Sequence, residues 1–145
     1  MIKGTYEEWL KLVRQAGAAL EAVPEEFKTS ELCGAAVAQC GWALLFVPEE
    51  LKTRDLCFDA VCGAGLMLEH VPEQFRDAEL CLAAVDHKGY ALKFVPEDVM
   101  NEDICIAAVD EEPKAFEFVP MEWRTEMVRG AAGLNSIFRR IRDEF

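Results

Sequence analysis

Apolar and polar positions along the chain recur in a fixed order every 24 residues. Thr29-Ser30-Glu31-Leu32-Cys33-Gly34-Ala35-Ala36-Val37 matches Asp77-Ala78-Glu79-Leu80-Cys81-Leu82-Ala83-Ala84-Val85, and Phe46-Val47-Pro48-Glu49-Glu50 matches Phe94-Val95-Pro96-Glu97-Asp98. Blocks open at Thr5, Thr29, Thr53, Asp77, Asn101 and Thr125, and the register holds through residue 124. A unit this short cannot bury its apolar face alone, so neighbouring copies must stack into a shared core.

Each block predicts the same elements. Its first residue is Thr, Asp or Asn, whose side chain accepts from the unpaired N–H groups of a helix start. In five blocks an acidic residue follows two places later (Glu7, Glu31, Asp55, Glu79, Asp103), where the helix dipole favours it. Leu32, Cys33, Ala36, Val37 and Cys40 then fall on one helical face, and Leu80, Cys81, Ala84 and Val85 repeat it. Gly17, Gly41, Gly65 and Gly89 hold the thirteenth position, where a residue tolerant of positive φ ends a helix, and Pro113 takes that place in the fifth block. A second helix of one or two turns carries Ala43-Leu44 and Ala91-Leu92. Pro24, Pro48, Pro72, Pro96 and Pro120 suit the first position of a third helical turn, anchored by Phe27, Leu51, Phe75, Val99 or Trp123.

The expected fold is all-α: a short right-handed α-solenoid of about six units in a single domain spanning 1–145. Its repeats are 5–28, 29–52, 53–76, 77–100 and 101–124, with a degenerate capping repeat over 125–145. Layers about 8–10 Å apart would make a surface roughly 50 Å long. The ends depart from the unit. Glu8, Trp9 and Lys11 replace the usual Leu, Cys and Ala, and Arg139, Arg140 and Arg142 give the last layer a wettable face.

The unit Thr/Asp-x-Glu-Leu-Cys-x-Ala-Ala-Val followed by Gly-x-Ala-Leu-x-Phe-Val-Pro-Glu-Glu resembles the bacterial tandem helical repeat catalogued as domain of unknown function 4116. The resemblance covers residues 5–124 well and 125–145 loosely. It implies a protein-interaction module and carries no shared catalytic or cofactor residue.

Composition narrows the partners. A hydrophobic content of 52% supplies a continuous core, and charges or prolines break every apolar run short of a membrane span. The formal charge of -12 argues against direct nucleic-acid binding, which needs clustered Lys and Arg, and suits a partner protein with a basic surface. The N-terminal residues lack the pattern of a secretory signal, so a cytoplasmic location and free thiols are expected.

Cys33, Cys57, Cys81 and Cys105 share the fifth position of successive blocks. Layer spacing places them too far apart for disulfides or a four-sulfur metal site, so they are expected as small core residues. Cys40 and Cys62 are expected to be partly accessible. His70 replaces Phe46 and Phe94 and is expected as a packed ring, whereas His87, beside Asp86 and Lys88, is expected in solvent. No spacing points to a catalytic residue, a cofactor or a bound metal.

The candidate partner surface has two parts. The fourteenth position holds Ala18, Trp42, Leu66, Tyr90, Lys114 and Phe138, and Trp42, Leu66 and Tyr90 form a ridge that resembles an interface anchor, because Trp and Tyr dominate binding hot spots. These rings could equally lie over the seams between layers. The acidic residues after four prolines (Glu25-Glu26, Glu49-Glu50, Glu73-Gln74 and Glu97-Asp98) either form a negative ridge that draws a basic partner or serve short helix starts whose ends carry Lys28, Lys52, Arg76 and Arg124. Asp110, Glu111, Glu112 and Glu117 lack such a local reason, which makes the fifth layer the better acidic patch.

The expected function is therefore non-enzymatic binding of another protein. Two alternatives stand beside it. One is a small acidic inhibitor or immunity-type protein that blocks a basic nucleic-acid-binding enzyme. The other is a thiol- or metal-dependent regulator using Cys40, Cys62, His70 and His87. The chain is expected as a monomer or as a weak homodimer formed through Ile2, Tyr6 and Trp9 at the solenoid end.

Overall fold

The computed structural model describes residues 4–133. Among the described residues six α-helices follow the predicted starts: α1 (Tyr6–Gln15), α2 (Ser30–Gln39), α3 (Arg54–Gly63), α4 (Ala78–His87), α5 (Glu102–Glu111) and α6 (Glu126–Ala131). Thr5, Thr29, Thr53, Asp77, Asn101 and Thr125 each accept a hydrogen bond from the backbone N–H three residues on. Thr5 and Glu8 complete a reciprocal capping box. Each cap is worth about 1 kcal/mol. Arg139, Arg140, Arg142, Phe138 and Ile2 lie outside the described residues.

After each of α1 to α5 the chain turns through one extended residue into a six-residue 3-10 helix: Gly17–Ala22, Gly41–Phe46, Gly65–His70, Gly89–Phe94 and Pro113–Phe118. The second helix is therefore 3-10 rather than α. The prolines precede a shorter turn instead of entering it. Pro24, Pro48, Pro72 and Pro120 sit as extended caps of the three-residue 3-10 turns Glu25–Phe27, Glu49–Leu51, Glu73–Phe75 and Met121–Trp123. In the fourth repeat the equivalent residues form a hydrogen-bonded turn closed by the Met100 N–H on the Pro96 carbonyl at 3.0 Å.

Among the described residues there is no strand, and the α-helices and long 3-10 helices stack repeat upon repeat into a short helical solenoid. Each long 3-10 helix packs on its own α-helix, and each of the first four packs also on the next one, as a staggered course of bricks does. Leu32, Leu80 and Ile104, the four fifth-position cysteines, Ala36, Ala60, Ala84 and Ala108, and Val37, Val61, Val85 and Val109 are almost completely buried in one continuous core. Leu20, Leu44, Leu68 and Leu92 close it from the 3-10 side, at about 2–3 kcal/mol for each fully buried side chain.

The glycines at the thirteenth position are there for a reason other than the one predicted. Gly133 alone among the described residues has positive φ. At Gly17, Gly41, Gly65 and Gly89 an added Cβ would come under 3.0 Å from the carbonyl oxygen of Ala36, Ala60, Ala84 or Ala108 in the next layer. Backbone meets backbone there, and only a residue without a side chain allows it. In the fifth block Pro113 holds this position, and the corresponding residue of the next repeat, Ala132, lies one residue past the end of α6.

Candidate functional site

The fourteenth-position residues follow the leading residue of each long 3-10 helix, glycine in the first four and Pro113 in the fifth, and those helices stand side by side, so Trp42, Leu66 and Tyr90 do form a row. They are not equivalent within it. Trp42 is 49% exposed, whereas Leu66 and Tyr90 are half-buried and pack against the core. Tyr90 meets Phe118 edge-on, with centroids 6.0 Å apart, so this ring covers the seam between the fourth and fifth layers.

Leu45 joins Trp42 on the surface at 43% exposure. In a 3-10 helix residues three apart eclipse, which puts Trp42 and Leu45 one above the other. The corresponding pairs are Ala18 with Glu21, Leu66 with Glu69, Tyr90 with Lys93 and Lys114 with Glu117. Among the described residues only the second repeat presents two large apolar side chains there. Sequence reasoning missed Leu45 because it assigned no helical register to the residues after Trp42, so the i, i+3 pairing of a 3-10 helix did not enter.

The acidic group of the fifth layer divides as well. Asp110 and Glu117 are exposed. Glu111 accepts the Gly89 N–H through Oε2 at 2.5 Å, and Glu112 accepts the Lys114 N–H at 3.2 Å. Both therefore have a local structural role that the sequence did not reveal. All three residues of the Asp110–Glu112 run end α5, where the helix dipole disfavours negative charge, so helix stability does not account for Asp110.

The Glu111 bond belongs to a series. The last residue of an α-helix accepts the glycine N–H of the preceding repeat: Gln39 Oε1 from Gly17 at 2.5 Å, His87 Nδ1 from Gly65 at 3.1 Å and Glu111 from Gly89. His87 is exposed as expected, yet its ring fastens two layers. His70, expected as a packed ring, is instead exposed, with Nε2 3.9 Å from Glu69 Oε2. It ends its 3-10 helix on the outer side, where the Phe residues of other repeats turn partly inward.

Cys33, Cys57, Cys81 and Cys105 are free and buried, and loss of solvation pushes Cys57, Cys81 and Cys105 up to about 11 from 9.0. Burial also raises Cys33 against the opposing effect of the Lys28 ammonium. Cys40 is half-buried and Cys62 exposed, and burial together with Asp59 raises the Cys62 thiol. A raised thiol is a poor nucleophile at neutral pH. Among the described residues no three His, Cys, Asp or Glu side chains gather as a metal site. Nor is any described helix long and apolar enough to cross a membrane.

The Tyr6 hydroxyl, offered for end-to-end pairing, is engaged within the chain, 2.8 Å from Thr29 Oγ1 and donating to Glu31 Oε2 at 3.3 Å. Trp9 is buried.

A family model described as Domain of unknown function (DUF4116) matches residues 29–76, 53–100 and 77–124, three overlapping windows of two repeats each. No curated protein matches the chain, and no solved structure matches it.

Proposed function

Because the chain belongs to the DUF4116 family, we propose that its stacked repeats serve as a rigid frame for binding another protein, with Trp42 and Leu45 as the anchor. The observation that carries this reading is the exposure of that pair. Trp42 is about half exposed on a frame whose other ridge residues are partly covered, Trp is among the residue types enriched in binding hot spots, and Leu45 adds exposed apolar area beside it. Leu66 and Tyr90 extend the anchor as a half-buried shoulder. Asp110 and Glu117 add an acidic margin that steers a basic partner.

The test is affinity capture from the native cell with the full chain, alongside Trp42→Ala/Leu45→Ala and Asp110→Asn/Glu117→Gln. Loss of the captured protein in the first variant, with weaker and more salt-sensitive capture in the second, is the expected outcome. Equal recovery in all three contradicts it. Capture of a nucleic-acid-binding enzyme, with its activity suppressed, would direct the same surface to the inhibitor reading.

A further inference from the structure

We propose that the cleft between the short turns of the fourth and fifth repeats receives a lysine or arginine side chain of a partner protein, its stem against Met100 and Met121 and its charge against Glu97 and Glu122. This deepens the binding reading above, on which it rests, and uses a different edge of the solenoid from Trp42.

The repeats act as their own control. In the first two, the last residue is a lysine whose side chain is almost fully covered, 8% exposed at Lys28 and 6% at Lys52. Its ammonium bonds the carboxylate three residues back, Glu25 at 2.8 Å and Glu49 at 2.6 Å. In the third and fifth repeats Arg76 and Arg124 hold the position and bond the carbonyls of Val71 and Val119.

In the fourth repeat Met100 stands there and brings no cation, so Glu97 keeps the place of Glu25 and Glu49 without their partner. The backbone changes with it. The N–H groups of Lys28, Lys52, Arg76 and Arg124 donate to the first residue of their turn, whereas that of Met100 donates to Pro96.

The facing wall carries a second departure from the repeat. Met121 replaces the glutamate that opens the other short turns, and at 78% exposure it is the most exposed large apolar side chain described. Both substitutions border one cleft of about 240 Å³, lined by Glu97, Met100, Pro120, Met121 and Glu122. That is below the roughly 300–1,000 Å³ of small-molecule sites and suits a single side chain. A buried Met100 and an exposed Met121 beside two exposed carboxylates match a long aliphatic stem with a cationic head. Two breaks in an otherwise consistent pattern, meeting at one place, mark a site held for something other than folding.

The full chain with ¹³C-labelled methionine methyls provides the test. It is titrated with acetyl-Leu-Lys-Leu-amide, to about 10 mM, and with the same peptide carrying norleucine for lysine. The Met100 and Met121 methyl signals are expected to shift saturably with the lysine peptide. Binding of the norleucine peptide, or of the lysine peptide to Glu97→Gln/Glu122→Gln, is expected to be about two- to fivefold weaker.

Met100→Lys restores the cation of the other repeats and is expected to abolish the Met121 shift, while Trp42→Ala leaves it unchanged. No saturable shift, an equal response to norleucine, or an undiminished Met121 shift in Met100→Lys would overturn the proposal. A failed titration beside a cellular capture that still depends on Trp42 would remove the cleft and leave the anchor standing.

Discussion

The junction between the third and fourth repeats and the junction between the second and third use the same core residues but differ in everything polar. Between the third and fourth, Arg54 bonds Asp77 at 2.6 Å and Glu79 at 2.9 Å, Arg76 reaches the Phe94 carbonyl at 3.3 Å, and His87 accepts the Gly65 N–H. Between the second and third, Ser30 replaces the long side chain at the Arg54 position and Gly63 offers no acceptor to Gly41. Among the described residues no side-chain hydrogen bond or ion pair joins those two layers. Apolar stacking thus suffices to assemble the solenoid, and the polar fasteners set how firmly each layer is fixed to the next.

The largest effect is expected where the two backbones touch. Gly65→Ala forces a Cβ into the Ala84 carbonyl and should cost about 3 kcal/mol. Gly63→Ala, with nothing closer than 3.7 Å to its Cβ, should be neutral or stabilising by about 1 kcal/mol. Urea unfolding of both variants distinguishes a glycine needed for close approach from one that merely ends a helix.

Gly63→Gln should convert the bare junction toward the fastened kind. A Cβ at Gly63 lies 3.7 Å from the Gly41 nitrogen, so the new amide oxygen can do for Gly41 what Gln39 does for Gly17. Adding one hydrogen bond and removing a helical glycine should gain about 1–2 kcal/mol in the same denaturation assay. In the opposite direction, His87→Ala should lose about 1 kcal/mol, and His87→Gln should retain most of it.

The smallest effect concerns pH. The Arg54 hydrogen bond, opposed by partial burial and aided by the Leu80 N–H, holds Asp77 below the usual carboxylate range. Its contribution to stability is complete above the unfolded pKa and is lost as pH falls through the lower folded value. Asp77→Asn retains an N-cap but lacks the ion pair, so its acid unfolding should show a shallower pH dependence than that of the unmodified chain.

The repeat, its helix starts and its core column were legible because each depends on residues close in sequence. Thr29 accepts a helix N–H three residues away, and Leu32, Cys33, Ala36 and Val37 fall on one face by helical spacing alone. The fasteners were not legible, since Gln39, His87 and Glu111 act on a glycine 22 residues earlier and share no chemistry beyond an acceptor atom. The glycines were placed correctly but explained wrongly, because a clash with the next layer is invisible until the layers are stacked. Trp42 was found from residue type. Leu45 required knowing that the second helix is 3-10, and the exposure of His70 departs from the half-buried Phe at the same place in other 3-10 helices.

Amide hydrogen exchange at Gly17, Gly41, Gly65 and Gly89, followed by NMR on the unmodified chain, tests the central claim most directly. Slow exchange at Gly17, Gly65 and Gly89 with Gly41 exchanging at least about tenfold faster is the predicted result. Four equally protected amides would contradict the claim that the layers share one core but differ in their polar fastening.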